Sequence, residues 1–414
     1  MVNIEANIKL VSFLEGIMIP RLPYLTQLEQ VRDKQIIKVL TGVRQAGKST
    51  ILTMHQAWLK EHGVHPNQIQ AINFEGLAFS ELKDYEKLYA HLNTRLVPDQ
   101  MNYLFLDEIQ TVPQFEKVID SLFIKPNVDL YITGSNAFLL SGELATLLTG
   151  RYLEIPVFPL SFAEIYQNDA NPHQAFETYL TRGGFPFALD LTDETSYQSY
   201  IDGIINTVLI KDILARRERG DATLLRHLAQ FLVDTAGNLV NPNKIAGYLT
   251  SKGLKTSAVT INSYLTSLTE AFLFYQCNRY DLNGKKYLTT NAKYYPVDLA
   301  LRQALLGSRR PNLGSRLETI VYLELKRRGY QILVGTLRAK EIDFIATKNG
   351  VREYYQVSQT VQDEATYQRE VRGFKEINDN YRKILLTMDA GHYNDQGIEQ
   401  LNVVDWLLDK EGAY

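Results

Sequence analysis

The sequence predicts an α/β protein whose N-terminal part is a parallel sheet carrying a phosphate-binding loop. Three observations predict it. Residues 42–50 read GVRQAGKST, a GxxxxGK[ST] pattern set between an apolar run, Ile36 to Thr41, and a stretch of helical spacing, Ile51 to Lys60. Strand-like and helix-like stretches then alternate to about residue 135, the pattern of βαβ units and a parallel sheet. Finally, an apolar strand, NYLFLDE from Asn102 to Glu108, ends in two adjacent acids.

A glycine-rich turn from strand to helix aims successive backbone N–H groups at an anion, and the helix N-terminus adds partial positive charge. Gly42, Val43, Arg44, Gln45, Ala46, Gly47, Lys48, Ser49 and Thr50 are therefore expected to cradle ATP. Lys48 would reach the outer phosphates and the Ser49 hydroxyl would bind Mg²⁺.

The strands that follow are Gln70 to Glu75, Asn102 to Glu108 and Asp129 to Ser135, with a helix from Glu86 to Leu96 between the first two. Ligands of such sheets sit at the carboxyl ends of the strands. Asp107 is then expected to hold Mg²⁺ through water, and Glu108 to orient and deprotonate the attacking water. Ser135 and Asn136, ending the next strand, fall beside the γ-phosphate. Arg151, on a loop before the strand YLEIPV, has two readings, an arginine finger offered to a neighbouring subunit or an ordinary surface cation.

GVRQAGKST, YLFLDEIQ, ITGSNA and TGRYLEIPVFPLSFAEI, followed by YLTRGGFP, resemble the prokaryotic AAA-type ATP-binding proteins whose C-terminal half is a domain of unknown function. The resemblance covers nearly the whole chain. It implies an AAA+ ATPase core with Lys48, Ser49, Asp107 and Glu108 in the roles just derived. The assembly expected is a homo-oligomer, nucleotide-dependent if Arg151 acts across an interface.

Composition agrees with a globular, cytoplasmic protein. In 414 residues, 45% are apolar and 22% charged, with a formal net charge of −3, so a nucleic-acid site has to be a local patch. Cys277, the only cysteine, excludes a disulfide framework and a Cys-based zinc site within one chain. The first twenty residues lack a basic segment followed by a clean apolar core, and no apolar run approaches the ~18 residues of a membrane span, so neither export nor membrane insertion is expected.

The division expected is an ATPase core to residue 163, a helical lid over 164–220, a winged helix-turn-helix over 221–308 and a nuclease-like α/β domain over 309–414. In the lid, helices flank the turn TRGGFP, from Thr181 to Pro186. Arg182 precedes its glycines as a candidate nucleotide contact, while Arg216, Arg217 and Arg219 close a helix and suit its dipole.

Residues 221–308 read helix, helix, helix and then a hairpin at Asn283-Gly284, the order of a winged helix. The third helix, capped by Ser257, would enter the DNA major groove and the hairpin would lie along the backbone. Lys244, Lys252, Lys255, Lys285 and Lys286 collect on these elements, with Thr256, Thr260, Asn262 and Ser263 as short polar groups for phosphate or base edges. DNA is thus the partner expected beside ATP, with Arg309 and Arg310 as a fallback patch.

In the last block, a helix carrying Glu318, a strand carrying Asp343 and a second strand turned at Asn349-Gly350 resemble the PD-(D/E)xK nuclease fold. The second acid of that motif falls at Gln356 and its lysine at Ser358. An amide removes a ligand charge and serine removes the cation, so the fold is expected without the cleavage. Lys340, three residues before Asp343, is the lysine in reach by sequence. Glu318, Asp343, Arg369 and Glu370 are expected to form a structural polar cluster.

Overall fold

The computed structural model describes residues 19–140, 150–166, 171–217, 220–307, 312–338 and 340–409. Arg219, Arg309 and Arg310 lie outside the described residues. The chain divides into two compact units, Met1–Phe158 and Pro159–Tyr414.

The first unit runs α1 (Leu22–Gln30), β1 (Ile37–Thr41), α2 (Lys48–Glu61), β2 (Ile69–Asn73), α3 (Tyr85–Asn93), β3 (Asn102–Asp107), α4 (Phe115–Phe123), β4 (Val128–Gly134) and β5 (Tyr152–Pro156). Among the described residues the strands form one five-stranded parallel sheet in the order β2-β3-β4-β1-β5. Every residue of β1, β3 and β4 is buried, which is why they read as largely apolar runs, broken by Lys38 and Asp129, instead of alternating ones. Insertion of β4 between β1 and β3 brings the ends of the GVRQAGKST, LDE and TGSN strands side by side.

An ion pair and a histidine sit deep in this unit. The Lys38 ammonium on β1 pairs with the Asp129 carboxylate on β4, both essentially inaccessible to solvent. His55 on α2 packs 5.0 Å from the Tyr131 ring and 5.9 Å from Trp58, and its Nε2 makes no hydrogen bond. Burial, with Lys38 and Arg32 adding repulsion, pushes the imidazole from 6.5 to about 3. A depressed pKa contributes stability that is complete above pH 6.5 and drains away as pH falls toward 3, at about 1.4 kcal/mol per pH unit. The first unit should therefore lose close to that amount between pH 5.5 and 4.5 in denaturant unfolding, and His55→Phe should remove that part of the loss.

The second unit begins with α5 (Phe162–Ile165), α6 (Pro172–Arg182), α7 (Glu194–Thr207), α8 (Ala222–Asp234), β6 (Leu239–Val240), α9 (Pro242–Ser251) and α10 (Ala258–Glu270). It continues with β7 (Phe274–Asp281), β8 (Lys286–Pro296), α11 (Ala300–Leu306), α12 (Leu313–Arg327), β9 (Gln331–Leu337), β10 (Lys340–Lys348) and β11 (Val351–Val357). The last elements are α13 (Glu364–Val371), β12 (Arg382–Thr387), β13 (Tyr393–Asp395), β14 (Ile398–Asn402) and α14 (Val403–Leu407). Asp221, Asn241 and Ser257 cap α8, α9 and α10 by accepting backbone N–H groups of the first turn, the last as the sequence suggests.

The three segments that the sequence separates into lid, winged helix and nuclease-like domain fold as one unit. Among the described residues a single nine-stranded sheet, β13-β14-β12-β11-β10-β9-β7-β8-β6, runs through the last two, joined where β7 pairs in parallel with β9. The lid segment is tied to the turn after β8. Gly184 N–H donates to Asp298 at 2.8 Å, and a Cβ on Gly183, whose φ is +69°, would fall 1.8 Å from the same carboxylate. The Gly-Gly pair of TRGGFP is thus a docking point for Asp298 as well as a chain break.

Candidate nucleotide site

The loop from Gly42 to Gly47 joins β1 to α2. Gly42 has φ +144°, and a Cβ there would lie 2.1 Å from the Val157 carbonyl, so only glycine fits against the strand beside it. Val43 and Ala46 are buried beneath the loop, while Gln45, Ser49 and Thr50 are exposed on it. Arg44 reaches sideways to Glu75 at 2.6 Å. Lys48, 4% exposed, donates to the Gly42 and Val43 carbonyls at 2.9 and 3.1 Å and stands 3.7 Å from Glu108.

Asp107, the last residue of β3, and Glu108 after it meet this lysine from across the intervening β4. Asp107 is buried and accepts hydrogen bonds from the Ser49 and Thr133 hydroxyls and from Asn73 Nδ2, the last at 3.0 Å. Burial pushes its carboxyl above the ordinary range, with Ser49 and Thr133 pulling back. Glu108, at φ +55°, turns its carboxylate to accept from Ser135 Oγ at 2.9 Å and Gln110 Nε2 at 2.6 Å. Asn136, following Ser135, is also buried at the end of β4.

The set drawn together is therefore Lys48, Ser49, Asp107, Glu108, Ser135 and Asn136. A hydroxyl and a buried carboxylate already sharing a proton, with acceptor capacity left over, are a donor set that fits Mg²⁺ with its preference for oxygen and retained water.

Arg151 does not join them. It precedes β5 at the amino end of the sheet, where its carbonyl accepts from Ile37 N–H and its guanidinium pairs with Asp120 at 2.6 Å. The length of β1, roughly 16 Å, separates that edge from the loop. Arg182 stacks 4.2 Å over Tyr197 and donates to Leu191 O within the second unit.

Several contributors escaped the sequence. Thr133, fully buried on β4, bonds both acids of β3, through the Asp107 carboxylate and the Glu108 N–H. Arg21, 2% exposed, precedes α1 and donates to the Ala46 and Phe158 carbonyls at 3.0 and 2.9 Å, backing the phosphate loop from below. An arginine beside proline in IPRLP carries no local signal for this. Its partners lie 25 and 137 residues away.

In the second unit, Lys244, Lys252, Lys255, Lys285 and Lys286 are all exposed, and α10 presents Val259, Asn262 and Ser263 to solvent. Arg217 reaches Ser263 and stacks 4.3 Å over Tyr264 instead of only closing its own helix. Asp343 lies on β10 and Gln356 on β11 as expected, and Gln356 Oε1 accepts from Asp343 N–H at 3.3 Å. Lys340 pairs with Glu376 and not with Asp343. Arg369 is 71% exposed and bonds only Glu370 in the expected cluster. The cation beside Glu318 and Asp343 is instead Lys293.

A five-stranded parallel sheet with this loop and these acids defines an AAA-type P-loop core. The chain belongs to the AAA-type ATP-binding proteins in which that core precedes a domain of unknown function. A family described as an AAA domain matches residues 34–166, and one described as a domain of unknown function matches 173–312. A Haemophilus influenzae protein, itself described as uncharacterized, is 42% identical over 94% of this chain and 99% of its own length. A Methanocaldococcus jannaschii relative is 27% identical over 89% of this chain and 85% of its own. Among solved structures, a Walker-type ATPase of Pyrococcus abyssi aligns with a TM-score of 0.48 at 15% identity, over 70% of this chain and 96% of that one. The Orc1 protein of Aeropyrum pernix, solved in complex with DNA, aligns at 0.31 and 14% identity, over 72% and 94%. No described helix is long and apolar enough to cross a membrane.

Proposed function

We propose that the protein binds ATP and Mg²⁺ at the Gly42–Thr50 loop, hydrolyses the γ-phosphate, and uses the cycle to bind or remodel DNA. The observation that carries the first part is the Glu108 carboxylate, oriented by Ser135 and Gln110 and set 3.7 Å from the Lys48 ammonium. Lys48 exchanges its bonds to the Gly42 and Val43 carbonyls for the outer phosphates. Ser49 and Asp107 would hold Mg²⁺, which would supply positive charge against the phosphates. Glu108 takes the proton of the attacking water while Ser135 and Asn136 face the γ-phosphate. In this reading Arg151 is a surface cation in its own subunit, and any catalytic part for it requires a second copy.

Support for DNA is the order α8, β6, α9, α10, β7, β8, with β6 pairing on β8 beside the hairpin, which is the plan of a winged helix. Five exposed lysines on α9, on the segment between α9 and α10, and at the β7–β8 turn give it a local positive patch in a chain of net charge −3. One observation favours a second reading, a nucleotide-switched scaffold: β7 spends one edge on β9, so the hairpin is also part of a packed sheet. The readings separate in one measurement. Phosphate release with and without duplex DNA should show turnover stimulated by DNA and the DNA left intact. Hydrolysis indifferent to DNA, with no retardation of labelled duplex, would favour the scaffold.

A further inference from the structure

Lys293 is a lysine with 1% of its side chain exposed, placed in the middle of β8 between Cys277 on β7 and Leu239 on β6. Its ammonium meets three carboxylates from two other elements. Glu318 on α12 lies at 2.8 Å, Glu341 and Asp343 on β10 at 2.7 and 3.5 Å. Three N–H donors thus face three acceptors, which fills the bonding capacity of the group. The cluster is itself held. Glu318 Oε1 also accepts from the buried Tyr295 hydroxyl at 2.7 Å, and Asp343 Oδ2 accepts from Val357 N–H at 3.0 Å.

A nuclease-like fold implies a divalent ion on Glu318, Asp343 and the residue at 356, and these residues do not fit one. Position 356 offers an amide, whose Nε2 is committed to Glu370 at 3.1 Å. The space between Glu318 and Asp343 is taken by an ammonium at hydrogen-bond distance, and a second cation there would meet a charge of like sign. Among the described residues no group of three His, Cys, Asp or Glu is arranged to hold a metal.

We propose that the Lys293 ammonium takes the place of a metal in the Glu318–Glu341–Asp343 cluster, so that this chain holds no divalent ion there. The electrostatics agree. Burial alone would lower the lysine, yet Glu318, Asp343 and Glu341 together hold it above its ordinary value and so charged. Burial, with Glu318 adding, pushes the Asp343 carboxyl up while Lys293 draws it back. Because Lys293 arrives on β8, the same contact pins the β7–β8 hairpin to α12 and β10. Removing one partner of a buried charge network is strongly destabilising, which accounts for an expensive residue at this place.

The test is Mn²⁺ titration of the full chain without nucleotide, free Mn²⁺ being followed by electron paramagnetic resonance. Wild type and Asp343→Asn should bind the same amount, since any ion at the phosphate loop is common to both. Mn²⁺ on the wild type that Asp343→Asn removes would overturn the proposal.

Discussion

Glu108→Gln should bind ATP as the wild type does and turn it over on the order of 10³ times more slowly, within the range a positioned general base supplies. The amide keeps the shape of the side chain and an oxygen for Ser135 and Gln110, so the loop and sheet ends keep their places. What it cannot do is accept a proton from water. It also removes the negative charge beside Lys48, which leaves the lysine freer for phosphate and makes loss of affinity the less expected result. Lys48→Ala should behave oppositely, losing affinity first, because its ammonium is the phosphate contact. Equilibrium binding of a fluorescent ATP analogue, set beside single-turnover phosphate release, separates the two. Normal turnover by Glu108→Gln would remove Glu108 from the reaction.

The nucleotide core was legible because its signals are local. A Gly-rich turn, the helix after it and an acid-ended apolar strand each declare themselves within ten residues, and strand alternation supplies the sheet that gathers them. Arg21 and Thr133 were not legible, because their roles come from strand order and from partners far along the chain. The second unit shows the same division. Asn349-Gly350 forms the two-residue turn its sequence suggests, with Lys348 paired to Val351 and both turn residues at positive φ. Asn283-Gly284 does not. There Asp281 pairs with Lys286 across a four-residue loop, in which the Asp281 carboxylate accepts from Asn283 N–H and Lys285 takes the positive φ. Likewise Lys340 is near Asp343 in sequence but Lys293 is near it in space, since β8 enters the sheet through β7 and β9.

Replacing Lys252, Lys255, Lys285 and Lys286 together by glutamine should weaken duplex DNA binding on the order of 10³ at ~0.1 M salt and flatten its salt dependence. Each cation that neutralises a phosphate releases counterions and contributes about 0.9 to the slope of log affinity against log salt, so four contacts account for roughly 3 to 4 units. The side chains are exposed, and none of the four makes an ion pair among the described residues, so their charges are available and their loss leaves no buried partner stranded. Lys252 lies 5.9 Å over Tyr248 at the end of α9, and Lys285 and Lys286 sit where the hairpin turns into β8. Binding followed by fluorescence anisotropy over a salt series reads both quantities, and circular dichroism checks that the variant is folded. A fall in affinity with an unchanged slope would mean that the lysines act through structure and not on phosphate. An unchanged affinity would leave the hairpin as a packed part of the nine-stranded sheet, where its pairing with β9 is already sufficient reason for its shape.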